Sequence, residues 1–476
     1  MDSFGRKRGM CEWGDLDADD LALDTVLADG IGHHLSPFHL LSVPGMSARQ
    51  QRTCSELWTR DRRAAAFAER AALGFCHPTR SARKIRLGYL SNDFQEHATA
   101  HLLVEVLEGH ARDDFEVFAY SFGADDGLPM RRRLVAAFDR FVDISHLDDQ
   151  AAAKRIHADG VDILIDLKGF TARARTGIIL LRPAPIIVSY LGYPGTMGAG
   201  ICDYLITDRF LTPASSAPEY AEALAYMPHT YHPHGRGTPL GRKPGRREAG
   251  LPEHGFVFCC FNQPYKISPE TFDIWCRLLA VVPDSVLWLL DHPQAAGNLR
   301  SEAIRRGVDA RRLIFGANLP QAEHLARLQV ADLMLDTAPF NAHTTASDAL
   351  WAGVPLVTCP GETFPSRVAG SILHAIGLGD LVAGSLDDYF TLAFSLATEP
   401  DQLSIVKGRL AANRLVTPLF DVAAYTLGLE GLYRAMVMRH HAKLRPSAVG
   451  ARAEYARLST PTNIRKPHSS QMMLLS

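Results

Sequence analysis

The sequence alternates between short apolar runs and longer segments with helical spacing, and it does so in two successive blocks. The first block begins near residue 85 and the second near residue 256. Parallel strands need a crossover between them, usually a helix, so this alternation is typical of a doubly wound α/β fold. The sequence therefore predicts two successive Rossmann-like domains, which face each other across a cleft at the carboxyl ends of their strands.

The predicted strands are runs of Val, Ile, Leu and Phe that polar loops interrupt. In the first block they are residues 85–90, 115–121, 141–143, 161–166 and 186–191. In the second block they are residues 256–261, 286–290, 313–315, 333–335 and 356–358.

The same patterns suggest five regions along the chain. Residues 1–84 form a helical lead-in and residues 85–235 the first Rossmann-like domain. Residues 236–250 are rich in Pro, Gly and Arg and are predicted to be a linker. Residues 251–440 form the second domain, which includes a long helical segment near its end. Residues 441–476 have little periodicity, which predicts a disordered tail.

Composition excludes several classes of function. The net charge is −2, so no overall charge favours nucleic acid or an anionic membrane. No apolar run approaches the roughly 20 residues that span a bilayer, and the first residues lack the apolar core of a secretory signal. The eight cysteines include no C-x-x-C pair, which predicts reduced thiols and a cytoplasmic location. No H-E-x-x-H pattern occurs, so we expect no metal site.

Residues 331–362 carry the strongest local signal for a binding site. They are expected to form a strand, a loop, a helix that opens at His343, and a second strand. Thr344 and Thr345 in the first helical turn allow a phosphate to approach the free backbone N–H groups. Asp348 lies one turn further, where a carboxylate can accept hydrogen bonds from ribose hydroxyls. A nucleotide-diphosphate site is one interpretation, and an ordinary capped βαβ unit is the other.

Further candidate residues occur at the predicted carboxyl ends of strands. Gln263 and Lys266 follow the first strand of the second block, where a lysine could neutralise a pyrophosphate. His97 follows the first strand of the first block and could act as an acid, a base or an acceptor-positioning group. The alternatives are a surface lysine and a structural loop histidine.

His324 and Arg327 lie three residues apart on one predicted helix, so both could contact a base. The alternative is an exposed helix face. The sequence contains no G-x-G-x-x-G, P-loop or G-x-S-x-G motif, which disfavours dehydrogenases, P-loop enzymes and α/β-hydrolases.

Many separate segments, in one order from about residue 11 to about residue 435, resemble the catalytic region of the O-GlcNAc transferase/SPINDLY family. They include IRLGYLSNDFQEHATAHLL, RPAPIIVSYLGYPGTMG, DYLITD, LAYMPHTY, FCCFNQPYKISPETF and DTAPFNAHTTASDALWAGVPLVTCPGETFPSRVAGS. The resemblance implies a GT-B fold and an inverting, metal-independent enzyme. It also implies transfer of N-acetylglucosamine from UDP-GlcNAc to Ser or Thr of proteins.

The resemblance also implies roles for individual residues. By their position in the motifs, those expected to hold the pyrophosphate are Gln263, Lys266, Thr344 and Thr345. Those expected at the uridine are Gln321, His324, Arg327 and Asp348, with His324 stacking on uracil and Asp348 binding ribose. Those expected near the sugar and the acceptor are His97, Gly192, Tyr193 and Pro194.

This sequence departs from the family's pattern in three respects. Gln321 stands where the family has a ribose-contacting lysine. The long insert of animal members between the two domains is absent. The tetratricopeptide repeats that most members carry in front are absent from this sequence. We therefore expect a catalytic core that binds UDP-GlcNAc and protein acceptors, whose recruiting arm is lost or is supplied by a separate repeat-containing protein.

Two competing functions remain open. A SPINDLY-type protein O-fucosyltransferase would use GDP-fucose, and a degenerate member would bind a nucleotide sugar without catalysis. His343 together with Asp348 favours the GlcNAc branch, because SPINDLY-type sequences usually lack both in this segment. Lys266, His97 and the HTTASD stretch that begins at His343 argue against the degenerate member.

Overall fold

The computed structural model describes residues 3–14, 16–31, 33–78 and 84–450. Its strands are β1 (Ile85–Ser91), β2 (Phe115–Ser121), β3 (Arg140–Asp143), β4 (Ile163–Asp166), β5 (Ile186–Ser189), β6 (Tyr204–Asp208), β7 (Ala223–Met227), β8 (Val257–Cys260), β9 (Val286–Leu290), β10 (Leu313–Gly316), β11 (Leu333–Leu335), β12 (Leu356–Val357) and β13 (Val449–Gly450).

Helices connect most of these strands. They are α1 (Ser3–Gly9), α2 (Leu16–Ala28), α3 (Pro37–Leu40), α4 (Ala48–Leu73), α5 (Ala98–Gly109), α6 (Pro129–Ala137), α7 (Asp149–Ala158), α8 (Thr176–Leu180), α9 (Pro269–Val281), α10 (Pro293–Arg305), α11 (Gln321–Leu328), α12 (Thr344–Trp351), α13 (Val368–Ala375), α14 (Leu386–Thr398), α15 (Pro400–Asn413) and α16 (Val422–His441).

Two parallel sheets form the framework. The first has eight strands in the order β13-β7-β6-β5-β4-β1-β2-β3, and the second has five in the order β10-β9-β8-β11-β12. In the first sheet, Leu87 of β1 pairs with Val117 of β2 and Ile163 of β4, and all three are fully buried. Both faces of the sheet are buried at these strands, which explains why their sequences are continuous apolar runs. The predicted α/β class is therefore confirmed.

Two inner strands of the first sheet, β6 and β7, were not predicted. Strand β6 ends in the polar residues Thr207 and Asp208. Strand β7 is only five residues long and two of them are alanine, which is uncommon in strands. Asp208 ends β6 and is buried, with one carboxylate oxygen accepting from Phe210 N and Leu211 N, each at 2.9 Å. The other oxygen accepts from Tyr231 N at 2.9 Å and from Ser371 Oγ at 2.6 Å. This carboxylate is a structural acceptor, because its hydrogen bonds reach elements of both sheets.

The predicted disordered tail begins too early. The final helix runs to His441, and β13 forms the edge of the first sheet by pairing with β7, with Val449 opposite Ala225. Val449 is buried, so the sheet edge supplies order that the sequence pattern does not reveal. Residues 451–476 lie outside the described residues.

The final helix also packs differently from its predicted place in the second domain. Although it follows the second sheet in sequence, α16 contacts β5, β7, β13 and α5 of the first. Glu430 of α16 accepts hydrogen bonds from Ala111 N (2.8 Å) and from His110 Nδ1 (3.1 Å). Tyr433 lies 3.2 Å from Tyr89 between the hydroxyl oxygens. The chain thus returns to the first domain. Helix α16 packs with that domain, whereas the sequence placed it in the second domain.

The helical lead-in bridges the two halves of the molecule. Helix α4 begins with a reciprocal cap between Ser47 and Gln50 and packs on α8 beside the first sheet. On the other side, Asn298 Nδ2 of α10 donates to the carbonyl of Met10 at 2.8 Å. The lead-in therefore frames the cleft between the sheets. No helix among the described residues is both long and apolar enough to cross a bilayer.

Candidate functional site

A cleft of about 490 Å³ lies where the carboxyl ends of strands from both sheets face each other. This is the expected ligand position in open α/β sheets. Eight of the predicted site residues line it. They are His97, Gly192, Pro194, Gln263, Lys266, His343, Thr344 and Thr345.

The first wall of the cleft follows β1 and β4. His97 caps α5, with its Nδ1 accepting from Thr99 N at 3.2 Å. Lys168 Nζ donates to Asp93 Oδ2 at 2.7 Å, and the same oxygen lies 3.7 Å from His97 Nδ1. Burial lowers the pKa of His97, and the Asp93 carboxylate opposes that effect. At neutral pH the ring is therefore neutral, and its proton is on Nε2 because Nδ1 accepts.

The loop after β5 brings backbone close to the cleft. A Cβ at Gly192 would lie 1.9 Å from the carbonyl oxygen of Leu167, so only glycine fits there. Gly192 and Pro194 line the cleft. Tyr193, predicted near the sugar, is buried, and its ring packs edge-on against Phe170 with 5.1 Å between centroids. Its side chain thus supports the loop from within.

The second wall carries Lys266, in the short 3-10 turn Pro264–Lys266 that follows β8. Its Nζ donates to the carbonyl of Asn341 at 2.9 Å and lies 4.1 Å from the ring centroid of Phe340. Burial lowers the pKa of Lys266 to about 8, while the Asp336 carboxylate opposes that effect. The ammonium is thus still mostly charged at pH 7, but it is poorly solvated, and a bound anion would stabilise it.

Asp336 organises the loop that leads to α12. One carboxylate oxygen accepts from Thr337 N at 2.7 Å and from Ala342 N at 2.6 Å. The other accepts from Thr358 Oγ1 at 2.6 Å. Burial raises the pKa of Asp336 to about 6 against these hydrogen bonds. The loop is therefore fixed from inside, which positions both the carbonyl partner of Lys266 and the start of α12.

The N-terminus of α12 faces the cleft as predicted. His343 precedes the helix without capping it through its side chain, and Thr344 and Thr345 form its first turn. The hydroxyl of Thr345 donates to the side-chain oxygen of Asn262, which follows β8. Burial keeps the pKa of His343 well below its usual range, so this ring is neutral. The first N–H groups of a helix have no intrahelical acceptor and attract an anion.

A second set of predicted residues lies just behind this helix start. Asp348 is buried, and its Oδ1 accepts from Gln321 Nε2 at 2.8 Å and lies 3.3 Å from His234 Nε2. The resemblance assigned the Asp348 carboxylate to ribose binding. In the structure, Gln321 already donates a hydrogen bond to one oxygen of this carboxylate. The carboxylate retains a second oxygen as a hydrogen-bond acceptor.

His324 and Arg327 share one face of α11 as predicted, and Phe261 joins them to the cleft. The rings of His324 and Phe261 meet edge-on with 5.0 Å between centroids, and Phe261 lines the cleft. Arg327 Nε donates to His324 Nδ1 at 3.1 Å, and its guanidinium carbon lies 4.3 Å from the Phe261 ring centroid. Burial lowers the pKa of His324 to about 4. A neutral imidazole of fixed orientation is suited to packing on a planar base.

Sequence reasoning missed several residues that the fold brings to the site. Asp93 and Lys168 form a buried ion pair in the first wall, and Asn262 supports Thr345 in the second. His232 lines the cleft with its Nε2 3.1 Å from Ser347 Oγ, and burial lowers its pKa to about 3. Asp93, Lys168 and Asn262 each follow a strand within three residues, a position that could have identified them. Their pairing partners, far away in sequence, could not be read from it.

The described residues contain no group of three His, Cys, Asp or Glu side chains arranged to hold a metal ion. Positive potential in the cleft comes from Lys266 and from the N-terminus of α12, because the charge of Lys168 is balanced by Asp93.

Two facing Rossmann-like sheets, with a positively charged site for an anion on one wall of the cleft, have the architecture of the GT-B fold. A family model for glycosyl transferase family 41 matches residues 62–235 and 243–429. The chain belongs to this family.

The relatives carry the names of protein-modifying enzymes. The chain is 42% identical over 367 residues to the probable UDP-N-acetylglucosamine–peptide N-acetylglucosaminyltransferase SEC of Arabidopsis thaliana, covering 75% of this chain and 38% of that protein. It is 32% identical over 472 residues to the corresponding Caenorhabditis elegans enzyme, covering 75% and 41%. A SPINDLY protein of Petunia hybrida is 31% identical over 370 residues, covering 75% and 39%. The chain thus spans about two fifths of the length of these relatives.

A solved structure extends the similarity to the whole fold. A lysine-to-methionine variant of the Thermobaculum terrenum O-GlcNAc transferase superimposes with a TM-score of 0.71 at 28% identity. The match covers 87% of this chain and 82% of that one.

Proposed function

We propose that this protein transfers N-acetylglucosamine from UDP-GlcNAc to Ser or Thr hydroxyls of proteins, with inversion at the anomeric carbon. The observation that carries the proposal is the arrangement of Lys266 and the start of α12 on one wall of the cleft, opposite His97 on the other. One wall suits a diphosphate, and the other leaves room for an acceptor. The names of the similar proteins supply the sugar and the acceptor class.

In the proposed reaction, the acceptor oxygen attacks the anomeric carbon from the face opposite the diphosphate. The bond between that carbon and the β-phosphate oxygen breaks, and the electron pair leaves with UDP. The proton of the acceptor hydroxyl is released to solvent. Negative charge therefore grows on the β-phosphate in the transition state. An ammonium and a helix N-terminus that are already in place stabilise this growing charge with little reorganisation.

Within this proposal His97 acts as a hydrogen-bond donor. Its Nδ1 accepts the N–H of Thr99, so the neutral ring carries its proton on Nε2 and has no free basic nitrogen. Such a ring can orient an acceptor oxygen or a sugar hydroxyl. Of the three roles expected from the sequence, the positioning role therefore fits the hydrogen bonding best.

We also propose the placement of the remaining donor contacts. Gln263 and Lys266, with Thr344 and Thr345, would bind the pyrophosphate. The uridine contacts would come from Gln321, His324, Arg327 and Asp348. The backbone at Gly192 and Pro194 would lie beside the sugar, with Tyr193 supporting it. No cofactor or metal enters this scheme.

The partners proposed are protein acceptors, with a repeat-containing recruiting protein as a further prediction from the resemblance. A cytoplasmic location is supported by the eight cysteines, all of which are free thiols.

A single experiment separates this function from its rivals. The purified chain is incubated with a peptide mixture and labelled UDP-GlcNAc or GDP-fucose, and thermal shifts are recorded with UDP and GDP. Stabilisation by UDP together with label transfer from UDP-GlcNAc supports the proposal. Stabilisation by GDP with transfer from GDP-fucose would establish the fucosyltransferase instead. Stabilisation by UDP without transfer or hydrolysis would indicate a binding module.

A further inference from the structure

A second and larger cavity, of about 760 Å³, opens beside the cleft. Its walls come from the lead-in helices α1 and α3, from α4, and from both catalytic domains. It shares four lining residues with the cleft, which are Phe38, Ala172, Gln263 and Tyr265. The two cavities are therefore continuous, and we call the second one the side groove.

The junction of the two cavities is aromatic. The rings of Phe38 and Tyr265 meet edge-on with 5.8 Å between centroids, and Tyr265 meets Phe340 with 5.9 Å between centroids. Phe340 in turn lies under Lys266 and lines the cleft. A chain that leaves the cleft at this point would pass over apolar surface into the side groove.

The outer part of the side groove is basic. Arg6 and Arg8 of α1 line it, together with the imidazoles of His34, His39 and His292. Among the described residues that line it there is no Asp or Glu. Arg8 is already paired with Asp20, whereas Arg6 is exposed and makes no ion pair with another of the described residues. Arg6 therefore supplies most of the available positive charge.

We propose that the side groove binds the segment of an acceptor protein that flanks the modified Ser or Thr, and that it selects flanking segments rich in Asp or Glu. The inference rests on the proposed function, because it takes the cleft as the site of transfer. Its support is the continuity of the two cavities, the aromatic junction and the charge complementarity between a basic groove and an acidic segment. Histidine imidazoles can donate hydrogen bonds to carboxylates in either charge state of the ring.

Direct binding tests the proposal without requiring turnover. Three fluorescent peptides share one central Ser and length, and their flanking residues are Glu, Gln or Lys. Their Kd values are measured by fluorescence anisotropy with saturating UDP. We expect the Glu peptide to bind about 3–10 times more tightly than the Lys peptide at low salt, since exposed charge pairs contribute modestly. The ratio should shrink as salt screens the charges.

Charge reversal in the groove provides the matched comparison. Arg6→Glu should reduce the ratio to about one or reverse it, because it removes the main cation that faces the peptide. Lys154→Glu makes the same change of net charge at an exposed position of α7 and should leave the ratio unchanged. His34→Glu, at an exposed position that lines the groove, serves as a second variant should Arg6→Glu fail to fold.

The possible outcomes distinguish a failure of the proposed peptide selectivity from a failure of the proposed transferase function. Equal affinity for the three peptides, or the same preference in the folded groove variant as in Lys154→Glu, overturns the inference. UDP stabilisation and UDP-GlcNAc hydrolysis are measured on the same samples. Their loss in the unmodified protein contradicts the proposed function, whatever the peptides do.

Discussion

Lys266 Nζ donates a hydrogen bond to the carbonyl of Asn341, at 2.9 Å, and so joins the loop after β8 to the loop that starts α12. The two charges proposed for the diphosphate, an ammonium and a helix N-terminus, are thus fixed relative to each other. They come from segments that are 75 residues apart in sequence.

Replacing this lysine tests its proposed role in the transition state. Lys266→Met should lower the rate of transfer about 10²–10³-fold, by analogy with the loss of one preorganised oxyanion contact. The fold should survive, because the residue lies in a loop at a strand end and Met retains an unbranched apolar stem. Steady-state transfer rates and circular dichroism check this, with Lys243→Met in the exposed linker as the control. A folded Lys266→Met protein with more than about a tenth of the normal rate would contradict the assignment.

The pKa of Lys266 predicts a pH dependence of nucleotide binding. Burial sets this pKa at about 8 in the free protein. Below that pH the ammonium is charged and attracts the diphosphate, and above it the neutral amine does not. Affinity for UDP should therefore fall above pH 8, at up to about tenfold per pH unit, with proton uptake on binding. Calorimetry from pH 7 to pH 9.5 in buffers of different ionisation enthalpy measures both effects.

The arginine variant provides the control for this titration. Arginine stays charged throughout that pH range, so Lys266→Arg should show UDP binding without the decline above pH 8. A flat affinity profile in the unmodified protein would rule out Lys266 as the titrating contact.

Selectivity for uridine should depend on the imidazole of α11. His324→Ala should weaken UDP binding about tenfold, since stacking of a base on a planar side chain contributes about 1–3 kcal/mol. In the unmodified protein, UDP and UDP-GlcNAc should bind more tightly than GDP or GDP-fucose. Calorimetric Kd values for the nucleotides check both expectations, with exposed His254→Ala as the control. Equal or tighter binding of GDP would refute the uridine assignment.

Transfer should continue when divalent metals are removed. Lys266 and the N-terminus of α12 supply positive potential at the proposed diphosphate position, so a metal is not needed to balance the leaving group. The transfer rate is compared in EDTA and in Mn²⁺ or Mg²⁺. Loss of activity in EDTA that either metal restores would show that this potential is insufficient.

The attachment of α16 to the first sheet should contribute to stability. Glu430→Ala would leave Ala111 N and His110 Nδ1 without their acceptor in a buried setting, at a cost of about 1–3 kcal/mol. The midpoint of thermal unfolding should fall by several degrees. Glu430→Gln keeps an acceptor oxygen and should lose less. An Ala variant that unfolds at the normal temperature would mean that water replaces the carboxylate.

The individual strands show how much of the fold can be predicted from the sequence. The central strands of both sheets were predicted because burial on both faces makes them apolar throughout. Strand β6 was missed because it ends in polar residues, although its Asp208 is buried and hydrogen-bonded. Strand β7 was missed because it is short and contains two alanines, which are uncommon in strands. The edge strand at Val449 was missed because its order comes from pairing with Ala225, more than two hundred residues earlier.

The same contrast applies to the site. Lys266, Thr344 and Thr345 were recognisable because each follows a strand or opens a helix, where backbone geometry alone favours anion binding. Asp93 and Lys168 were not, because their ion pair joins the ends of two strands that become neighbours only in the sheet. Tyr193 was expected at the sugar, but its side chain packs inward, which depends on the turn of the loop around Gly192.

The sequence by itself thus determined the α/β class, the two-block order and the family, since these depend on periodicity and on local motifs. It also indicated most of the residues that we propose to contact the donor. The tertiary structure decided which walls face each other, how buried each ionisable group is, and that α16 belongs to the first sheet. It also decided that the side groove is continuous with the cleft. Desolvation and pairing between distant segments control these properties, and neither has a signature in the local sequence pattern.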